Sequence, residues 1–319
     1  MTIERPANAR ILVTGCAGFI GGHILRRLLA EGVEVVGVDD FSTGLRENIT
    51  DLAGRFRFVE GTLCDPGVSR RAVEGVTGII HQAAIPSVPR SIDDPLACLD
   101  SSITATVTLL GAAKDAGVGR LVQAASSAAY GDTEVLPNVE TMPPKPLSPY
   151  AVGKLGQEYY ALASSRCYGI ETISLRYFNV FGPRQDPGSE YAAVIPKFIT
   201  LMLLGKRPTI YGDGEQCRDF IYIDNVVEAN LAAIRHPGVF QGEVINIAQG
   251  EAMTLNELVR HLNAILGTDL LPAYAPPRPG DIKRSQADVG LAEKLLGFRA
   301  GIDVREGLRR TVEYYRQTR

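Results

Sequence analysis

The chain has 319 residues, enough for one large domain or two modest ones, and its 45% hydrophobic and 22% charged content is that of an ordinary folded protein. A formal net charge of -3, with no Lys/Arg block and no aromatic-basic stripe, argues against a broad nucleic-acid surface. No uninterrupted apolar run approaches the roughly 20 residues that span a bilayer. The polar first ten residues hold no signal-peptide core, so a soluble, cytoplasmic protein without a membrane partner is expected.

Five cysteines (Cys16, Cys64, Cys98, Cys167, Cys217) are an odd number, far apart and without a Cys-x-x-Cys pair, which favours reduced thiols. The four histidines (His23, His81, His236, His261) show no ligand spacing, and no metal site is expected.

The first pattern is an apolar run, Arg10-Ile11-Leu12-Val13-Thr14, followed at once by Gly15-Cys16-Ala17-Gly18-Phe19-Ile20-Gly21-Gly22. A helical repeat with Ile24, Leu25, Leu28 and Leu29 on one side comes next, then a second strand at 34–38 that ends at Asp39-Asp40. Strand, glycine-rich turn, helix and strand make a βαβ unit. The glycines at 15, 18 and 21 let the backbone approach a pyrophosphate seated against the helix N-terminus. Asp39 lies where a carboxylate can bond the adenosine ribose hydroxyls and repel a 2′-phosphate, which favours NAD over NADP.

The alternation continues with strands expected at 56–59, 78–82, 120–125, 172–175 and 244–247. The clearest helix between them is 96–116, with apolar Leu96, Leu99, Ile103, Val107 and Leu110. The expected fold is therefore α/β: a Rossmann-type, doubly wound parallel sheet covered by helices on both faces. Regularity breaks after Phe178, where helices mix with Pro/Gly-rich loops at 182–189 and 272–280. Residues 1–178 read as the dinucleotide-binding domain, and 179–319 as a smaller, discontinuous α/β lobe for substrate. The strand near 243–248 is expected to return to the main sheet.

Two further stretches carry chemistry. The strand at 120–125 runs into Ser126-Ser127-Ala128-Ala129-Tyr130-Gly131, placing hydroxyls just past a strand end. In Ser148-Pro149-Tyr150-Ala151-Val152-Gly153-Lys154, Ser148 suits a helix N-cap and Pro149 the first helical position. Tyr150 and Lys154 then share one helix face. A nearby ammonium favours the phenolate, so Lys154 is expected to lower the Tyr150 pKa and make it an acid/base.

Together these motifs resemble the extended short-chain dehydrogenase/reductase family, most closely its UDP-sugar 4-epimerase branch, over essentially the whole chain. The resemblance includes Thr14 to Gly21, Asp39-Asp40-Phe41-Ser42-Thr43-Gly44, His81-Gln82-Ala83-Ala84 and the Tyr150/Lys154 stretch. It continues through Arg176-Tyr177-Phe178-Asn179-Val180-Phe181-Gly182, Arg218-Asp219-Phe220 and Arg278-Pro279-Gly280-Asp281. It implies that Tyr150 is the base, that Lys154 binds the nicotinamide ribose, and that Ser126 bonds the sugar O4. NAD is then held by Gly15, Gly18, Phe19, Ile20, Gly21, Asp39, Asp40, Ser42, Thr43, Gly44, Thr62, Leu63, Ala83, Ala84, Ser101, Tyr150, Lys154 and Phe178. The UDP-sugar is held by Ser87, Ser126, Ser127, Asn179, Val194, Lys197, Tyr211 and Ser285, with Arg218 and Arg278 on the diphosphate and Asp281 facing the uridine ribose. The helices at 96–116 and 150–168 resemble a pair that forms a four-helix homodimer interface, whereas their periodicity is equally that of burial against the sheet.

The chain departs from the family pattern at Thr62-Leu63, where an Asp usually contacts the adenine side, and at the small Ala128 and Ala129. Ser127 and Ala128 stand where related 4,6-dehydratases and decarboxylases carry acids, which demotes both activities. Arg184-Gln185-Asp186-Pro187 and Tyr191 to Lys197 look like epimerases of UDP-N-acetylhexosamines. Ser285 stands where galactose-restricted epimerases have Tyr, leaving room for a 2-acetamido group. The runner-up is UDP-glucuronic acid 4-epimerase, because Ser87-Val88-Pro89-Arg90-Ser91 also occurs there and Arg90 could meet a carboxylate; that branch, however, tends to have Thr at the Asn179 position. A non-catalytic NAD-sensing protein would typically lack Tyr150 or Lys154, and both are present.

Overall fold

The computed structural model describes residues 9–188, 193–277 and 283–318. In chain order its first half contains β1 (Arg10–Thr14), α1 (Phe19–Ala30), β2 (Glu34–Asp39), β3 (Arg57–Glu60), α2 (Pro66–Ala72), β4 (Gly78–His81), α3 (Val88–Asp93), α4 (Pro95–Leu99), α5 (Ala105–Asp115), β5 (Arg120–Ser126), α6 (Pro149–Tyr168) and β6 (Glu171–Tyr177). The second half contains β7 (Val180–Phe181), α7 (Val194–Leu203), β8 (Thr209–Tyr211), β9 (Cys217–Asp219), β10 (Ile221–Tyr222), α8 (Ile223–Arg235), β11 (Glu243–Ile247), β12 (Ala252–Thr254), α9 (Leu255–Leu266), β13 (Ala273–Ala275), α10 (Gly290–Leu296) and α11 (Val304–Gln317).

Seven strands form one sheet in the order β11-β6-β5-β4-β1-β2-β3. The pairs around its centre are parallel, with Val13 opposite Gly37 and Ile80. Because the order reverses between β1 and β4, the crevice at their carboxyl ends is the topological switch point where such sheets bind ligands. The central strands are near-continuous apolar runs, as burial on both faces requires: Ile11, Leu12, Val13, Ile79, Ile80, Leu121 and Val122 are all buried. The doubly wound fold and the returning β11 match the sequence reading.

The chain forms two compact units. One comprises the chain to Ala129, then Ser148–Arg176 and Val227–Ile245; the other comprises Tyr130–Leu147, Tyr177–Val226 and Asn246 onward. A division at residues 178 and 179 is therefore cruder than the fold in two places. The later part of α8 belongs to the first unit, because Gly78 on β4 leaves space filled by Ile234. Arg120 on β5 also donates to the carbonyls of Ala233 and His236 at 3.0 and 2.7 Å, satisfying groups that the end of α8 leaves open. The segment Tyr130–Leu147 belongs to the second unit, because the Tyr130 hydroxyl donates to Asn246 Oδ1 at 2.6 Å and Asn138 N bonds Gln286 O.

α4 and α5 are joined by a π-helical segment, Asp100–Thr104, into one helix from Pro95 to Asp115. Its cause is legible in the side chains. Ser102 Oγ donates back to Cys98 O at 2.5 Å and Thr106 Oγ1 to Ser102 O at 2.6 Å, and such bonds compete with the helix ladder and loosen it. α6 approaches this segment closely: a Cβ on Gly153 would stand 2.5 Å from Ser102 Oγ, and one on Gly156 2.5 Å from Ile103 Cδ1. By length and a mean hydropathy of 1.4, Pro95–Asp115 would also suffice to cross a bilayer, which inspection for uninterrupted apolar runs missed. In this fold it packs on α2 and α6, and its Leu109 and Leu110 share a core cluster with Leu12, Ile79 and Leu121 of the sheet.

α6 is fixed at both ends and along its length. Ser148 accepts from Ala151 N, Pro149 occupies the first turn, and Gly169 closes the helix in the left-handed region. Between them Glu158 receives both arms of Arg176 from β6, at 2.9 and 2.7 Å, with both side chains buried. Breaking one partner of such a pair leaves an uncompensated buried charge.

In the second unit, β7 pairs with β10, β9 with β12 and β8 with β13. Helices α7, α9 and α11 pack on one another beside them.

Candidate active site

The turn after β1 is shaped by what its residues lack. Gly15 has φ +64°, and a Cβ there would lie 2.9 Å from Ala83 N; one on Gly21 would lie 2.1 Å from Gly15 O. Only glycine permits this approach of β1, β4 and α1. Gly18 is the α1 N-cap and offers no side chain to the helix's first N–H groups, which is the arrangement that receives a phosphate. At the end of β2, buried Asp39 accepts from Ala17 N at 2.8 Å and Phe41 N at 2.9 Å. Burial raises its carboxyl pKa while these N–H groups lower it. A carboxylate has about four acceptor positions, so Asp39 retains capacity for ribose hydroxyls. Gly44 closes against it, since a Cβ there would meet Asp39 Oδ1 at 2.8 Å. This cradle of absent side chains beside a buried carboxylate fits a dinucleotide with free ribose hydroxyls.

Asp40, Ser42 and Thr43 are exposed along the same loop, and Ser42 N bonds Asp40 Oδ1. Exposed Thr62 accepts from Cys64 N at 3.3 Å, whereas the Leu63 side chain is buried in the core. Phe41 holds φ +58°, unusual for a bulky residue, with the Arg46 guanidinium 4.0 Å from its ring centroid. Phe19, Ile20, Ala83, Ala84 and Ser101 are half-buried.

Beneath the cradle lies a polar network that the sequence reading did not resolve. Thr14 Oγ1 accepts from Gln82 N and Ala83 N at 3.0 Å each, so its proton goes to His81 Nδ1, 2.7 Å away. His81 therefore carries its proton on Nε2 and donates to Thr106 Oγ1 at 2.9 Å, where Gln157 also donates. Burial and the Lys154 charge lower the His81 pKa to about 3, keeping it neutral. The network fixes the two amides that follow β4 and ties them to α6 one turn beyond Lys154.

At the end of β5, Ser126 accepts from Ala128 N at 3.2 Å, and its hydroxyl lowers the pKa of the Tyr150 phenol. Tyr150 N donates to buried Ser91 Oγ at 3.1 Å, and Ser87 caps α3 by accepting from Arg90 N. Lys154 Nζ donates to Ala124 O at 2.9 Å. The net shift on Tyr150 is set by burial rather than by Lys154. Burial holds the phenol above its ordinary pKa, with the Ser126 hydroxyl pulling the other way. Lys154 is itself buried, with its pKa lowered to about 8, and its ammonium is committed to a β5 carbonyl.

In the second unit, Asn179 Nδ2 donates to Asp219 O at 3.0 Å, Arg218 sits half-buried on β9, and Ser285 N bonds Cys217 O. Val194 opens α7, Lys197 is exposed one turn later, and Tyr211 ends β8. Phe178 has a different place from the one expected: it is fully buried, packed with Tyr130, Ala248 and Ala287, so its ring is core. Ser127 begins a short 3-10 turn. Arg278 and Asp281 lie outside the described residues. The first unit thus gathers the glycine turn, Asp39, Ser126, Tyr150 and Lys154, while the second gathers Asn179, Arg218 and Ser285.

A dinucleotide cradle on the same unit as a half-buried Tyr150, a buried Lys154 and a strand-end serine defines an NAD-dependent enzyme that works on an alcohol or its ketone. Residues 11–248 match the model of the NAD dependent epimerase/dehydratase family. A UDP-glucose 4-epimerase of Mycolicibacterium smegmatis is 37% identical over 96% of this chain and 98% of its own. The structure of Thermotoga maritima UDP-glucose 4-epimerase with UDP-glucose is 39% identical, covering 97% of this chain and 99% of that one, with a TM-score of 0.92. A UDP-N-acetylglucosamine 4-epimerase from Methanobrevibacter ruminantium, solved with UDP-N-acetylmuramic acid, is 37% identical over 98% and 99%, with a TM-score of 0.93. The chain belongs to the NAD dependent epimerase/dehydratase family, and the resemblance read from its motifs is borne out. It is an NAD-dependent epimerase.

Proposed function

We propose that the enzyme inverts C4 of UDP-hexoses, interconverting UDP-GlcNAc with UDP-GalNAc and UDP-glucose with UDP-galactose, through a transient 4-keto sugar. The observation that carries this reading is Lys154 Nζ fixed on Ala124 O of the strand that ends at Ser126, four residues along α6 from a Tyr150 phenol that feels the Ser126 hydroxyl, with no acid at Ser127 or Ala128 to divert the ketone to elimination. Gly15, Gly18, Gly21, Asp39 and the Ser42 to Gly44 loop would hold NAD. When bound, NAD supplies a reversible two-electron acceptor and, oxidised, a positive nicotinamide charge that favours the phenolate.

The chain's own part is proton handling and orientation. Ser126 bonds the sugar O4 and passes its proton to Tyr150; Tyr150 returns a proton when the other epimer forms. Lys154, held on Ala124 O, keeps two donors for the cofactor ribose. Arg218, Arg278 and Asn179 grip the diphosphate, a task suited to guanidinium forks. Tyr211, Val194, Lys197 and Asp281 flank the nucleotide, with Ser87 and Ser127 toward the sugar. Ser285 leaves room for the 2-acetamido group.

The glucuronate reading needs a cation for the C6 carboxylate. Arg90 donates instead to Ser42 O, at 3.5 Å on the dinucleotide loop, which supports neutral hexoses. A homodimer through the long helix and α6 is supported by exposed Leu96, Leu99, Val107, Val152, Tyr159 and Tyr160 on these two packed helices, since exposed apolar side chains gathered together mark interaction surfaces. Five unpaired thiols suit a reducing cytoplasm.

The test is incubation with UDP-GlcNAc, UDP-glucose and UDP-glucuronic acid separately, without reductant, followed by proton NMR. UDP-GalNAc and UDP-galactose should appear. Conversion of UDP-glucuronic acid alone would replace this reading with the glucuronate one.

A further inference from the structure

Asp219 is fully buried between residues assigned to the UDP-sugar, yet the chemistry above does not use it. Its Oδ1 accepts from Gln249 N at 2.9 Å, and its Oδ2 accepts from Gly250 N and Ala287 N, both at 3.1 Å. Its own carbonyl receives Asn179 Nδ2 at 3.0 Å. Three chain segments thus converge on one residue. The first is β9 itself, carrying Arg218. The second is the turn at 249–250, which leads into β12, whose Met253 pairs with Arg218 across the antiparallel ladder. The third is the stretch holding Ser285 and Ala287, joined to β9 by Ser285 N on Cys217 O. Gln286 Nε2 closes the ring on Gly250 O at 3.0 Å.

A carboxylate suits this task better than its neutral relatives. Burial pushes the Asp219 pKa up to about 7 against the pull of these three N–H groups; above that pH both oxygens only accept, and three backbone N–H groups need acceptors at once. Leaving a buried N–H without a partner is costly, so the two loops are held wherever the carboxylate is. Among the described residues these three partners of the carboxyl are all backbone N–H groups, so its influence there passes through the backbone.

We propose that Asp219 is the positioning residue of the UDP-sugar site, fixing Arg218, Asn179 and Ser285 relative to one another through its carboxylate and its carbonyl. This rests on the reading that those three residues bind substrate. The geometry makes a graded prediction. An asparagine keeps one acceptor; with its oxygen at the Oδ2 position it retains Gly250 and Ala287 and sets an NH2 against Gln249 N. An alanine releases all three.

The experiment measures steady-state kinetics with UDP-GlcNAc and UDP-glucose, bound NAD, and UDP affinity by calorimetry, for Asp219→Asn, Asp219→Ala and Arg218→Ala. Asp219→Asn should raise KM and the UDP dissociation constant about fivefold, with kcat and bound NAD within about twofold. Asp219→Ala, where it folds, should raise both at least about thirtyfold. Unchanged KM in Asp219→Asn, or a parallel fall of kcat and bound NAD, would overturn the proposal, the second by assigning Asp219 to general folding. Arg218→Ala separates the two levels: if it leaves KM unchanged, the substrate role of this segment fails, whereas a raised KM there with an unaffected Asp219→Asn refutes the positioning role alone.

Discussion

Gly21→Ala isolates the dinucleotide cradle with one methyl group. The added Cβ would stand 2.1 Å from Gly15 O and 2.8 Å from its carbon. Carbon and oxygen normally meet no closer than about 3.3 Å. Either the first turn of α1 or the Gly15 carbonyl must therefore move by more than about 1 Å. Moving the carbonyl also strains the bond it accepts from Gly18 N at 3.0 Å. Overpacking of this kind costs about 1–3 kcal/mol of stability. Because both displaced groups form the phosphate seat, NAD affinity should fall at least about thirtyfold, roughly 2 kcal/mol. Gly22→Ala is the matched control: its Cβ would lie 3.4 Å from Cys16 O, an ordinary contact. It should keep NAD affinity and gain about 0.5 kcal/mol from helix propensity. Calorimetric titration with NAD and thermal melts of both variants decide the matter. NAD affinity within about threefold of wild type in Gly21→Ala would refute the close-approach argument.

Three further outcomes follow from other parts of the chain. Ser285→Tyr should suppress turnover of UDP-GlcNAc more than that of UDP-glucose, and equal loss on both would reject the acetamido gate. Lys154 has a folded pKa of about 8 against an ordinary 10.5, so the cost of burying its charge is present in full below about pH 8 and is relieved as pH rises toward about 10.5, up to about 3 kcal/mol. Dinucleotide-free wild type should accordingly gain on Lys154→Met over that range in urea unfolding, and parallel pH curves would contradict the buried-charge account. Leu96→Asp with Tyr159→Asp should yield monomers in sedimentation velocity, and an unchanged sedimentation coefficient would move the subunit interface elsewhere.

Much of the first unit is legible in the sequence because its signals are local. Glycine spacing, strand runs and the Ser148-Pro149 cap each specify structure within a few residues, and β1 and α6 stand where those signals put them. Long-range packing is less legible. Leu96, Leu99 and Val107 follow a burial-like period yet stay exposed, because the π segment and the glycines of α6 set which face meets the fold. Phe178 carries a cofactor role in the sequence reading, but its strand-end position turns the ring into the core. The Tyr150 pKa could not be read from an i, i+4 spacing, since burial and the Ala124 carbonyl act through tertiary structure. His81 and Asp219 lie inside quoted motifs. Their functions depend on backbone N–H groups from distant segments, which no residue pattern displays.

The most direct test of the central claim is Tyr150→Phe, assayed for UDP-GlcNAc and UDP-glucose epimerisation alongside its bound NAD. The account predicts turnover reduced at least about a thousandfold, within the usual reach of positioned acid–base catalysis, with NAD content unchanged. Turnover within about tenfold of wild type would contradict the assignment of Tyr150 as the acid/base.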